Sequence, residues 1–331
     1  MNTKTPNVIP EISIALCTYN RAKFLDMTLN SLIRQQTDGI AFEIVVIDDG
    51  STDGTFAVIE ELRLATPVPI RYFHQTNAGV GGARNRAVAE ANAPWVAFID
   101  DDEVASERWL RELYDTAIRS GADCVGGPAL MKLTGPSAIE PVGTIRMLLG
   151  ENPTMMESAQ RLSLVDRLRY RATRLAIPGG GNSLVRKQLF HELGGFAPTN
   201  YGEDLDFFRR AEGRGVRLGC AAQASVYHMT PPERLEPKRL YLLARRAGAS
   251  QAVIDRKSGA LVRLGMVIAL RSLHALIVTF PTLCVYTIRR KRSLMVSKIC
   301  SMYFAMAYVR TCVRSWSPRV TRADPAGGDI A

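Results

Sequence analysis

Asp100, Asp101 and Asp102 stand side by side at the end of an apolar run, residues 95–99, and Glu103 follows them. Three adjacent carboxylates repel one another unless a cation sits among them. The run reads as a buried strand, and ligands bind at strand ends in open α/β sheets. Carboxylates placed there suit Mg2+ or Mn2+ carrying substrate phosphates. Alone, the stretch would read as a solvated acidic turn. It has company: Asp48 and Asp49 close a second apolar run, Arg84 follows a glycine cluster, and Glu203 and Asp204 open a helical pattern. Acids in a first turn are also ordinary partners of a helix dipole. His228, after the last strand pattern, is by itself more often a structural histidine than a ligand.

Elements must bring these residues together, and their order predicts how. Strands are expected at residues 12–18, 42–48, 70–74 and 95–99, each followed by a helical pattern, at 22–35, 55–64, 84–91 and 107–120. Alternation of this kind gives a doubly wound sheet. Gly79, Gly81 and Gly82 fail the dinucleotide fingerprint because Arg84 holds the third glycine position, and they follow the third strand instead of the first. They are read as a loop presenting backbone N–H groups, with Arg84, to a phosphate. Three glycines at 179–181 precede a short strand, where the missing Cβ permits close approach. A last strand is expected at 224–227.

The chain has 331 residues, 47% of them hydrophobic, enough for one large domain with an appendage or for two domains. Its net charge of +10 is uneven: 24 Lys+Arg against 28 Asp+Glu through Glu233, then 18 against 4 from Arg234 onward. The sums, −4 and +14, imply different partners for the two parts. Six scattered cysteines without CxxC spacing read as reduced thiols of a cytoplasmic protein. The polar start, with Pro6 and Pro10, carries no stretch long enough for a signal peptide. No Ser-His-Asp or Cys-His pairing suggests a covalent nucleophile.

In order along the chain, the segments at 18–21 (TYNR), 47–55 (IDDGSTDGT), 77–85 (NAGVGGARN), 98–103 (FIDDDE), 179–182 (GGGN) and 201–206 (YGEDLD) resemble the family 2 glycosyltransferases. The resemblance runs from about residue 12 to 228. It implies the inverting GT-A fold: an α/β, doubly wound mixed sheet with helices on both faces, over residues 1–231. It further implies that Thr18 and Tyr19 line the base pocket, that Asp49 accepts a hydrogen bond from the base, and that Arg84 faces the diphosphate. Asp100 and Asp102 match the metal-binding DxD pattern, Asp102 being favoured as direct ligand of Mg2+ or Mn2+ and Asp101 lying nearer the ribose and donor sugar. Asp204 matches the catalytic base, and His228 a histidine that helps hold metal or phosphate. The all-acid DDDE departs from a pattern whose middle residue is usually uncharged, which leaves open which carboxylate binds metal. The implied activity is metal-dependent transfer from a nucleotide-diphosphate sugar to a hydroxyl of a glycan or polyprenyl-linked acceptor. Sugar nucleotidyl transfer and an idle nucleotide-sugar-binding scaffold are the rivals.

Residues 232–331 read as a basic, apolar helical tail. Arg256, Arg263, Arg271 and His274 form a polar stripe opposite Val262, Ala269, Leu273, Leu276 and Phe280. Residues 264–288 are long enough to span a bilayer, but their apolar side chains contribute roughly −4 to −7 kcal/mol and Arg271 alone returns about +3. Arg289, Arg290, Lys291 and Arg292 follow. The expectation is a peripheral, monotopic protein on an anionic cytoplasmic membrane face, with a span at 264–288 as the alternative. A second basic amphipathic stretch, 161–174, is a further candidate surface. The apolar density of the tail argues against nucleic acid.

Overall fold

The computed structural model describes residues 9–151, 178–197, 202–257, 269 and 273–314. The basic stretch 161–174, Tyr201, Arg263 and Arg271 lie outside them. The chain divides into two compact units, Met1–Glu236 and Pro237–Ala331, five residues beyond the boundary read from the sequence. The difference arises because a 3-10 turn, Pro232–Leu235, belongs to the first unit.

Four parallel strands, β1 (Ile12–Thr18), β2 (Phe42–Asp48), β3 (Ile70–His74) and β4 (Trp95–Asp100), start the first unit. Their near-continuous apolar sequences suit strands covered on both faces. α1 (Ala22–Ile33) buries Phe24, Leu25, Leu29 and Leu32, one stripe at helical spacing. The sheet order is β3-β2-β1-β4-β8-β6-β9, with β8 (Asn182–Arg186) antiparallel to both β4 and β6 (Cys124–Gly126). β9 (Leu218–Cys220) closes the edge. After β1 the chain builds toward β2 and β3, then crosses back to β4, so the order reverses between β1 and β4. Ligands bind at such a switch point. Register sets Thr18 opposite Asp48, and Cys17 opposite Asp100, so the three strand ends form one rim.

A second sheet, β5-β10-β7, lies below that rim: β5 (Glu103–Ala105), β7 (Ala129–Leu133) and β10 (Val226–Thr230). The sequence reading had neither β5 nor β7. It also ended the last strand at 227, whereas His228 pairs with Glu103 and Met131 inside β10.

α2 (Thr55–Ala65) and α4 (Trp109–Ser120) fall close to their expected places. α3 does not: it spans Gly79–Glu90, so the glycines expected in a phosphate loop form its first turns. Packing explains them. A Cβ on Gly81 would lie 2.6 Å from the Ala197 carbonyl oxygen, and one on Gly82 would lie 2.7 Å from Ala78 Cβ. α5 (Thr144–Leu148), α6 (Gln188–Leu193) and α7 (Glu203–Gly213) complete the unit.

In the second unit α8 (Pro237–Lys257) lies against α10 (Arg292–Arg314). Tyr241 stacks on Tyr303 with ring centroids 5.2 Å apart, and the buried Tyr308 hydroxyl donates to Asp255 at 3.0 Å. A π-helical turn, Ala275–Thr279, and α9 (Phe280–Ile288) leave Ile277, Phe280 and Ile288 exposed. Among the described residues no helix is long and apolar enough to cross a membrane.

Candidate active site

On the β1–β2 side of the rim, the Asp49 N–H donates to the Thr18 carbonyl at 2.9 Å, tying the two strand ends together. Asp49 Oδ1 accepts from Gln75 Nε2 at 2.6 Å and from the Ala78 N–H at 2.8 Å, which fixes the carboxylate plane. Tyr19, the residue after Thr18, is 48% exposed. Its neighbour Asn20 adopts φ 52°, a left-handed conformation that Asn tolerates. The Asn20 carbonyl side chain accepts the Thr52 N–H at 2.8 Å and so holds the β2–α2 turn. An exposed aromatic residue and an oriented carboxylate at neighbouring strand ends suit a planar, hydrogen-bonding ligand.

At the end of β4 the three aspartates part company. Asp100 Oδ1 accepts from Arg84 Nη2 at 2.7 Å, and Arg84 Nη1 donates to Glu203. Arg84 is 6% exposed and lies over the Phe196 ring. Burial alone would lower its pKa, but Asp100, Glu203 and Asp204 outweigh it and raise it further. Its guanidinium is therefore a buried bridge between β4 and α7, where the sequence reading had it facing a diphosphate. Asp100, expected as a metal ligand, is turned toward that bridge, and its Oδ2 lies 2.7 Å from where a Gly181 Cβ would sit. A Gly180 Cβ would lie 2.6 Å from Arg84 Nη1. The glycine run thus lies directly over the buried charges. Glu103, also under it, accepts the Asp100 N–H at 3.1 Å; burial and then the Asp100 charge push its carboxyl well above the usual range.

Asp102 meets a different set of groups. Its Oδ1 lies 3.2 Å from His228 Nε2, and its Oδ2 accepts from Arg234 Nη1 at 3.0 Å. The same Arg234 nitrogen is 3.0 Å from His228 Nε2. His228 Nδ1 lies 2.8 Å from the Leu149 carbonyl, which can only accept, so the Nδ1 proton is donated there. In the neutral ring the Nε2 lone pair then accepts from Arg234, whereas a hydrogen bond to Asp102 requires a proton on Nε2 as well. Burial works to lower the His228 pKa, but the Asp102 hydrogen bond and charge outweigh it and raise it. Burial likewise works to raise the Asp102 carboxyl, yet His228, then Arg234 and Arg21, hold it at about 2. Burial and the neighbouring Asp102 push Asp101 up to about 7, with Arg21 and the Thr18 hydroxyl acting against the rise. Arg21 lies 4.0 Å from both Asp101 and Asp102.

Asp204 stands in the first turn of α7, next to Glu203. Its Oδ2 accepts the Gly180 N–H at 2.8 Å and its Oδ1 the Leu205 N–H at 2.7 Å. Burial raises the Glu203 carboxyl, against the lowering effect of Arg84. The two acids of the pair therefore have different surroundings: Glu203 is 5% exposed and bonded to Arg84, while Asp204 is held by backbone donors.

A divalent ion can be tested against these residues. Among the described residues no group of three or more His, Cys, Asp or Glu side chains forms a complete metal cage. Asp102 and His228 do supply one carboxylate and one imidazole whose far nitrogen is fixed by a carbonyl, an arrangement typical of metal-binding histidines. Two protein ligands fit an ion that takes its remaining ligands from substrate phosphates and water.

Sequence reasoning overlooked Arg234, six residues past His228, and Asn182. The Asn182 amide accepts from Trp109 Nε1 at 2.8 Å and donates to the Ala224 and Pro128 carbonyls at 2.8 and 3.0 Å. It thereby fixes the strand that carries the glycine run. An amide after three glycines was the available signal for Asn182; nothing local marks Arg234.

The chain is similar to known proteins in sequence and in fold. The sequence model described as "Glycosyl transferase family 2" matches residues 13–194. The succinoglycan biosynthesis protein ExoM of Rhizobium meliloti (strain 1021) is 29% identical over 237 residues, 69% of this chain and 70% of its own length. A validoxylamine A glucosyltransferase of Streptomyces hygroscopicus subsp. jinggangensis is 39% identical over 107 residues, which cover 32% of this chain and only 25% of that protein. Among solved structures, the mannosyltransferase PcManGT from Pyrobaculum calidifontis, in complex with GDP-Man and Mn2+, aligns over 92% of this chain and 88% of its own, with a TM-score of 0.58 at 17% identity. That likeness is one of fold, and the fold is GT-A.

Proposed function

The chain belongs to glycosyl transferase family 2 and is a glycosyltransferase, and from that premise we propose that it is an inverting, divalent-metal-dependent enzyme. In this reading it moves a sugar from a nucleotide-diphosphate donor to a hydroxyl of a glycan or polyprenyl-linked glycan during polysaccharide biosynthesis. The polysaccharide assignment is supported by the succinoglycan relative. Family membership disfavours the nucleotidyl-transfer and idle-scaffold alternatives.

The observation that carries the proposal is the Arg84 bridge. One buried guanidinium joins Asp100, two residues before Asp102, to Glu203, one residue before Asp204. A leaving-group site and a proton-accepting site are thus set on one rigid frame, as a single in-line displacement requires. Tyr19 would stack on the base, with Asp49 accepting a hydrogen bond from it. Thr18 would line the same pocket, and Asp101 would lie toward the ribose and donor sugar. Asp204 would take the acceptor hydroxyl's proton as the new bond forms, a contribution of about 10²–10⁴-fold in rate. Asp102 and His228 would hold Mg2+ or Mn2+, which when bound neutralises charge gathering on the departing diphosphate. Arg84 acts here as a positioning residue and not as a phosphate ligand.

Calorimetric titration with UDP and with GDP, each with Mn2+ and with chelator, tests the assignment. Asp102→Asn is expected to abolish the metal-dependent part of binding. Equal metal dependence in variant and parent contradicts it.

For the second unit we propose attachment to an anionic membrane surface. Exposed Ile288 beside Arg289, Arg290, Lys291 and Arg292 supports this reading. Each such cation is worth about 1 kcal/mol near an anionic surface, so neutralising all four is expected to release much of the protein from phosphatidylserine vesicles at physiological salt. Unchanged co-sedimentation contradicts it.

A further inference from the structure

Arg234 occupies the atoms that the proposed ion would use. Its Nη1 is 3.0 Å from Asp102 Oδ2 and 3.0 Å from His228 Nε2. An imidazole nitrogen has one lone pair, so it cannot bind a metal and accept an N–H together. A divalent ion at its usual bonding distance of about 2.0–2.2 Å would also repel a guanidinium held on the same carboxylate. Guanidinium and metal therefore exclude one another. The neighbourhood deepens the conflict, because Arg21 stands 4.0 Å from the same carboxylate. One anionic charge on Asp102 already faces two guanidinium groups.

The two arginines of the site differ in their freedom to leave. The Arg84 side chain is 7% exposed and bonded to two carboxylates, whereas that of Arg234 is 32% exposed on a short 3-10 turn. Arg234 can swing toward solvent without uncovering a core. It would do so most readily toward a new anion.

We propose that Arg234 is a displaceable cation that closes the Asp102–His228 pair in the free enzyme and makes metal binding depend on the nucleotide diphosphate. The diphosphate draws the guanidinium off and supplies the ion's missing ligands at once, so donor and metal enter as a coupled pair. A free enzyme guarded in this way takes up little metal alone. This rests on the reading that Asp102 and His228 hold the metal, and the test separates the two claims.

Binding of Mn2+ to the full-length protein is measured by the loss of the free-ion electron paramagnetic resonance signal, first with Mn2+ alone and then with saturating UDP or GDP. Parent, Arg234→Gln, Asp102→Asn and the double variant are compared. UDP or GDP binding in chelator reports that each variant is folded, and Arg234→Met serves as a second substitution should the glutamine variant fail that control. Removing Arg234 is expected to tighten Mn2+ binding in the absence of nucleotide by about 5- to 150-fold, the usual range of coupling between two ligands. The factor by which nucleotide tightens Mn2+ should shrink correspondingly, and Asp102→Asn should abolish the gain. If Arg234→Gln leaves nucleotide-free Mn2+ affinity unchanged or weaker while Asp102→Asn still abolishes binding, the displacement proposal is overturned and the metal assignment stands. If Asp102→Asn leaves Mn2+ binding intact, both fall.

Discussion

Asp100 and Asp102 stand two residues apart at one strand end and each meets an arginine, yet the two pairs are built in opposite ways. The Arg84 cluster lies under the glycine run, roofed by the positions of Gly180 and Gly181, and ties β4 to α7. The Arg234 cluster is reached from a partly exposed turn and includes an imidazole fixed by a carbonyl. Breaking the buried Arg84–Glu203 pair strands the Glu203 charge, whereas Asp100, its side chain 46% exposed, keeps water as a partner. Arg234, its side chain 32% exposed, can leave toward water, while the buried Asp102 keeps His228 and Arg21 close by. Adjacent identical residues in DDDE are therefore not equivalent: the half-exposed Asp100 pairs with Arg84, and the buried Asp102 meets His228 and Arg234.

The same division runs through Glu203 and Asp204, and the largest expected effect tests it there. Asp204→Asn should lower kcat by about 10²–10⁴-fold with donor affinity little changed. Glu203→Gln should cost less in kcat, because its carboxyl pairs with Arg84. If Glu203→Gln gives the slower enzyme in donor-turnover assays, the two roles are reversed.

Stability measurements sharpen the contrast between the arginines. Arg84→Met leaves Asp100 and Glu203 without their common partner and should cost about 3–5 kcal/mol in urea unfolding. Asn182→Ala strands the Trp109 N–H and the Ala224 carbonyl, at about 1–3 kcal/mol for each buried group left unpaired, while the Pro128 carbonyl keeps the Val226 N–H. Arg234→Gln should change the unfolding free energy by only about 0–1 kcal/mol. Equal losses from the Arg84 and Arg234 substitutions would erase the distinction between frame and exchangeable cation.

Much of the scaffold was legible because its signals are local. The apolar runs that became β1 to β4, and the acids that end β2 and β4, follow from sequence order alone. The start of α3 was misplaced because Gly79, Gly81 and Gly82 are loop formers by propensity, whereas here they permit close packing against Ala197 and Ala78. β5 and β7 are short strands in a small separate sheet, and three to five residues carry too little periodicity to declare themselves. Among candidate site residues, types and motif order single out Asp102, Asp204 and His228 as expectations and favour Asp102 over Asp100 for the metal, but cannot tell which arginine each carboxylate meets. Arg234 reaches Asp102 across 132 residues of sequence, a contact that only folding creates. On the sequence it counted merely as the first charge of a basic tail.

The central claim is single-displacement transfer with Asp102 and Asp204 in separate roles. Slow hydrolysis of a nucleotide-sugar donor, followed by proton NMR before the freed sugar mutarotates, tests it most directly. With a panel of UDP- and GDP-sugars and Mn2+, the productive donor should release its nucleoside diphosphate and a sugar of inverted anomeric configuration. The signal should vanish with chelator or with Asp102→Asn, and fall about 10²–10⁴-fold with Asp204→Asn. A sugar released with its configuration retained, or turnover indifferent to both metal and Asp204, would contradict the account.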